Sequence, residues 1–163
     1  MQSAGSTSYS FGLKAAKAEL DARGRANVPK IIIFMTDGEA NIGPVFGSTY
    51  TRTHPENIQP CHEAINTAQQ IKNDGVTIYA IGYDLRDDVT GGYATCKEGT
   101  RTGGHNNSNT NESPVITSYA TLSQIASPGN FYNKPDAGQV NTIFAAIVAD
   151  IASGTSRLVD EDY

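Results

Sequence analysis

A chain of 163 residues with 38% hydrophobic residues, no Trp and a net charge of -5 fits one soluble globular domain with a modest core. Seventeen acidic against twelve basic residues, with no Lys/Arg cluster, argue against a nucleic-acid surface or an anionic membrane as partner and leave cations as the more natural small ligand. No apolar stretch approaches the roughly 20 residues of a membrane span, and Met1-Gln2-Ser3-Ala4-Gly5 lacks the basic and apolar regions of a signal peptide.

The hydroxyl-rich stretch from Gly5 to Ser10 leads into a helical pattern from Phe11 to Arg23, where Leu13, Ala16 and Leu20 share one stripe. Gly24 is expected to stop this helix as a C′ residue, and Pro29 biases the chain toward extended structure. Lys30 to Thr36 follows as an apolar run, which reads as a strand buried on both faces in a parallel sheet. Asp37-Gly38 lies just past its carboxyl end, the edge where open α/β sheets bind ligands; a plain turn Asp before Gly is the other reading.

A loop rich in Gly and Pro runs to about Asn57. From Ile58 the spacing of Cys61, Ala64, Ile65, Ala68 and Ile71 is helical, and Gly75 ends that element. Val76 to Ile81 is a second strand, so the unit is strand, helix, strand with parallel pairing and a right-handed connection. Residues 83–114 form a long polar loop with almost nothing apolar to bury, and its tip is expected to be disordered; Asn106 and Asn111 there match the glycosylation acceptor pattern. A short helix from Ser118 to Ala126, a brief strand around Asn130-Phe131-Tyr132 and a last helix from Ala137 to Ala152 complete the pattern. Asp136 and Gln139 form a variant capping box for that helix, and Gly154 is expected to end it. The domain thus occupies residues 1–156, and 157–163 is a charged tail.

These residues resemble the von Willebrand factor A (vWA) family. Gly5-Ser6-Thr7 with Leu13 six residues on, then a strand ending Thr36-Asp37-Gly38, is similar to that family's second and third metal-contact loops. Val76 to Tyr83 (VTIYAIGY) looks like its next strand, and Leu122 to Ile151 is similar to its closing helix, strand and helix. The wording of Ser6 to Leu20 is closest to bacterial surface members, including those of tight-adherence pilus assembly. The resemblance implies an α/β, Rossmann-like three-layer sandwich, a mostly parallel sheet flanked by helices, with the first strands missing. It also implies a Mg2+ (or Mn2+ or Ca2+) adhesion site in the intact domain, to which Thr7 and Asp37 would contribute, and a protein ligand held through a metal-bridged carboxylate. The family's Asp-x-Ser-x-Ser motif occurs nowhere in the chain, so metal binding is expected to be weak or absent here. The chain reads as the carboxyl-terminal two-thirds of such a domain, and the apolar strand from Ile31 to Met35 then has an open edge prone to self-association.

Cys61 and Cys96 either form a disulfide, which would point to an oxidising compartment, or remain two free thiols; their Cα separation decides. A zinc site from His54, Cys61, His62, Cys96 and His105 matches no known ligand spacing, and adjacent Cys61 and His62 on one helix point apart. Glu39 reads as a solvated loop carboxylate, and the hydroxyls of Ser6, Ser8 and Ser10 as capping groups, since no histidine motif activates a nucleophile. The expected function is a non-enzymatic adhesion or protein-binding module, extracytoplasmic or at a bacterial cell surface. A metal-dependent α/β hydrolase built on Asp37 and Glu39 is the rival, and free thiols would favour an intracellular scaffold.

Overall fold

The computed structural model describes residues 7–38, 40, 59–83, 85, 87, 95–98, 110–133 and 137–156. Ser6, Glu39, His54, Ile58, His105, Asn106, Asp136, the loop tip around them and the tail 157–163 lie outside the described residues. In chain order the elements are α1 (Tyr9–Arg23), β1 (Ile31–Thr36), α2 (Pro60–Asn73), β2 (Thr77–Gly82), α3 (Ser118–Ile125), β3 (Phe131–Asn133) and α4 (Ala137–Ser156).

The three strands lie in the order β1-β2-β3 and pair in parallel, Ile32 beside Ile78 and Met35 beside Ile81, with Ala80 beside Phe131. Alternation along the strands assigns their side chains to two layers. Ile32, Ile78 and Ala80 pack with Leu13 of α1, Ala64, Ala68 and Ile71 of α2, and Leu122 and Ile125 of α3. On the opposite face Tyr79 and Ile81 meet Ile143 and Ile147 of α4. The fold is therefore the three-layer α/β sandwich that the resemblance implies, with a parallel sheet between helices.

The helix boundaries follow from local chemistry. Ser8 caps α1 by accepting from Phe11 N at 3.3 Å, which starts the helix two residues earlier than its apolar pattern does. Thr117 does the same for α3, accepting from Ala120 N at 3.0 Å. At the end of α2, Gly75 adopts φ 79° and its N–H reaches Lys72 O, while Val76 N–H reaches Ile71 O. With Val76 and Ile71 both buried, this is a Schellman closure with its apolar contact.

Four expectations are corrected. Gly24 closes α1 in an extended conformation (φ -63°, ψ 135°) rather than as a left-handed C′ residue; positive φ falls on Asn27 instead. Gly154 does not end α4, which continues to Ser156; one glycine costs a helix only about 1 kcal/mol and no Pro follows to enforce a stop. β1 is not buried on both faces, because among the described residues it pairs only with β2, and Ile33 and Met35 are 40% and 42% exposed. Finally, the segment between residues 83 and 114 does bury side chains: Leu85, Thr95, Cys96 and Glu112 all belong to the interior. Two antiparallel bridges, Thr95 with Thr117 and Lys97 with Asn111, hold its return path, and the Asn111 amide oxygen accepts from Thr95.

Candidate functional site

Parallel strands put all their carboxyl ends on one side of the sheet, and the helices that return between them start there. Ser127, just past α3, bonds both ways to Ile78 near the start of β2, so α3 ends at the opposite side and begins at this one. The amino ends of α1, α2 and α3, the turn after β1 and the segment after β2 therefore share one end of the molecule. It is the end where open α/β sheets take ligands.

The first part of this end is the turn after β1. Thr36 Oγ1 accepts from Gly38 N at 3.4 Å and donates to Gly38 O at 3.3 Å, a local closure that turns Asp37 outward into solvent. Tyr9 is buried, its ring set edge-on against Phe34 at 5.2 Å, and its hydroxyl donates to the Gly38 carbonyl. That bond ties the amino end of α1 to the Asp37 turn; half-buried Thr7 lies two residues before Tyr9, and Asp37 is exposed. Both are hard oxygen donors. A Mg2+ ion takes six ligands in near-octahedral array, and one exposed carboxylate with one hydroxyl does not preorganise it. The described donor set thus does not fit a resident divalent cation.

The second part is the amino end of α2. Gln59 provides no side-chain cap there. Instead the carboxylate of Glu112, 50 residues away and fully buried, accepts from Cys61 N at 2.8 Å and His62 N at 3.1 Å. The same carboxylate meets His62 Nδ1 at 2.5 Å. Burial pushes the Glu112 carboxyl above its ordinary range, opposed by the Cys61 and His62 backbone bonds and the imidazole. Beside it a disulfide joins Cys61 to Cys96, whose Cα atoms are 6.3 Å apart. Gln59 adds a bond from Nε2 to Ser113 O at 2.9 Å. Disulfide, carboxylate and amide together fasten the 95–117 segment to α2.

Below this junction, a surface cleft of about 560 Å³ separates α2 from α3, lined by His62, Ile65, Asn66, Asp87, Val115 and Thr117 among others. Asp87 accepts from Thr117 Oγ1 at 3.2 Å. Lys72 closes the far end of the helix pair by donating to the Gln124 and Ala126 carbonyls.

Of the residues singled out from the sequence, Thr7 and Asp37 flank two elements joined by the Tyr9–Gly38 bond, and Cys61, His62 and Cys96 converge at the Glu112 junction. Glu112 carries no signal in the sequence: it sits in a polar run, far in the chain from the helix it caps, and only the fold reveals it.

The chain matches the von Willebrand factor type A domain over residues 1–146 and belongs to that family. Among solved structures it is similar to the pilus adhesin SpaC from Lactobacillus rhamnosus GG, with a TM-score of 0.51 and 16% identity, covering 92% of this chain and 19% of that one. At this identity the likeness concerns the fold, and the chain spans a small part of that adhesin's length. No curated protein matches the chain.

Proposed function

We propose that the chain is a non-enzymatic protein-binding module of the adhesion type, using the end of the sheet that carries Thr7, Asp37 and the α2 junction. Membership of the vWA family carries this reading, and the fold shared with a pilus adhesin supports it. Among the described residues no serine or cysteine nucleophile sits on an activating base, and Asp37 has no second acid placed with it, which disfavours hydrolysis. The buried disulfide suits an oxidising setting such as a cell surface. No helix among the described residues is long and apolar enough to cross a membrane. The metal-bridged carboxylate contact used by metal-dependent family members needs a cation, and Thr7 with Asp37 alone among the described residues is expected to hold one weakly. Binding is therefore expected to proceed through direct polar contacts of the patch.

The test is surface plasmon resonance of the chain against a panel of purified surface and matrix proteins, with and without chelator. Saturable binding that survives chelator and is lost in a Thr7→Ala, Asp37→Ala double variant is the expected result. Binding indifferent to that double variant, or turnover of phosphatase or esterase substrates, would overturn the reading.

A further inference from the structure

The Cys61–Cys96 junction has the composition of a metal site as well as of a disulfide. Both sulfurs and a Glu112 carboxylate oxygen lie within 4.8 Å of one another, and all three residues are fully buried. His62 Nδ1 stands 2.5 Å from Glu112 Oε2. Thr121 Oγ1 approaches Cys96 Sγ at 3.6 Å. Cys61 is the second residue of α2, where the helix dipole favours a thiolate once the sulfur is reduced. Two thiolates 2.3 Å from a tetrahedral zinc stand roughly 3.8 Å apart, a separation open to side chains on Cα atoms 6.3 Å apart.

We propose that the reduced chain binds one Zn2+-class cation here, with Cys61 Sγ, Cys96 Sγ and a Glu112 oxygen as ligands, water in the fourth position, and His62 as the residue that orients Glu112. A dithiol reductant supplies two electrons and two protons to the Cys61–Cys96 bond and leaves as its own cyclic disulfide. The two thiol protons then pass to solvent as the two sulfur–zinc bonds form. A small-molecule disulfide reverses the sequence: the protein disulfide re-forms, the oxidant leaves as two thiolates, and the cation is released. Thiolate donors select zinc over magnesium, so this site is distinct in place and chemistry from the Asp37 patch. The carboxylate–histidine contact is the kind of outer bond that orients metal ligands in general, and it is already in place in the oxidised fold. Every newly made chain passes through the reduced state, in which the cation would hold the 95–117 segment on α2 as the disulfide does later.

The test uses the full chain, reduced with a phosphine that is then removed under nitrogen, with Co2+ as a spectroscopic probe and Zn2+ measured against a chromophoric chelator. One equivalent of Co2+ producing a thiolate-to-cobalt charge-transfer band, displaced by Zn2+ and absent from the oxidised chain, is expected. Glu112→Gln is expected to weaken Zn2+ binding by more than about a hundredfold, and His62→Ala by about tenfold, each variant checked by circular dichroism for its fold in the oxidised form. Because an unfolded dithiol can also take up metal, the melting temperature of the reduced chain is followed, and Zn2+ is expected to raise it. No charge-transfer band, equal affinity in Glu112→Gln, or a melting temperature indifferent to Zn2+ would overturn the proposal.

Discussion

Two buried polar side chains at the ligand-facing end differ sharply in how they are satisfied. Glu112 accepts from two backbone amides and an imidazole, whereas the Ser118 hydroxyl is buried with no hydrogen-bond partner among the described residues. Removing a satisfied acceptor strands its donors, while removing an unsatisfied group relieves a desolvation cost. Glu112→Ala is accordingly expected to destabilise the oxidised chain by about 2–4 kcal/mol in urea denaturation, and Ser118→Ala to be neutral or stabilising by up to about 1 kcal/mol. Lys72 supplies a pH dependence. Burial depresses its pKa from the ordinary 10.5, so the unfolded chain holds that proton more tightly than the folded one. Stability contributed by this group then rises with pH between the depressed value and 10.5. A Lys72→Met variant is expected to lose that rise relative to wild type when denaturation midpoints are compared from neutral to alkaline pH.

At the scale of elements, the α2 closure and the β1 edge make separate demands. Gly75 sits at φ 79° with open space where a Cβ would project, so Gly75→Ala meets only the backbone cost of a left-handed residue. A loss of about 1–2 kcal/mol is expected, read from the denaturation midpoint. All seven elements among the described residues were legible in the sequence, because hydrophobic periods of 3.6 and 2 are written plainly in stretches such as Cys61 to Ile71 and Val76 to Ile81. Their ends were less legible. Ser8 starts α1 through a side-chain bond that the apolar pattern does not record, and α4 passes Gly154 because no competing turn chemistry follows it. The exposure of Ile33 and Met35 also ran against the pattern: residues alone announce a central strand, while exposure depends on which neighbours the sheet has.

For the molecule as a whole, that exposed face has a consequence for solution behaviour. Ile33 and Met35 on β1, together with Phe144 and Val148 on α4, leave large apolar side chains in water. An apolar edge of this kind favours association. Size-exclusion chromatography with light scattering is expected to find species larger than a monomer at high concentration, and Ile33→Lys, Met35→Lys to shift them toward monomer. A concentration-independent monomer in the wild-type chain would contradict this. The candidate site was half legible: Thr7 and Asp37 could be placed by their position before a helix and after a strand, but Glu112 and its junction depend on contacts 50 residues apart that no local pattern encodes. This chain keeps the vWA scaffold and its ligand-facing end, but the described residues around Asp37 offer no oxygen donor set that preorganises a Mg2+-class cation. Titration calorimetry of the oxidised chain with Mg2+ and Mn2+, beside Asp37→Ala, tests it most directly. No saturable heat below the millimolar range, and no difference between the two proteins, is the predicted result; micromolar binding that disappears in Asp37→Ala would contradict it.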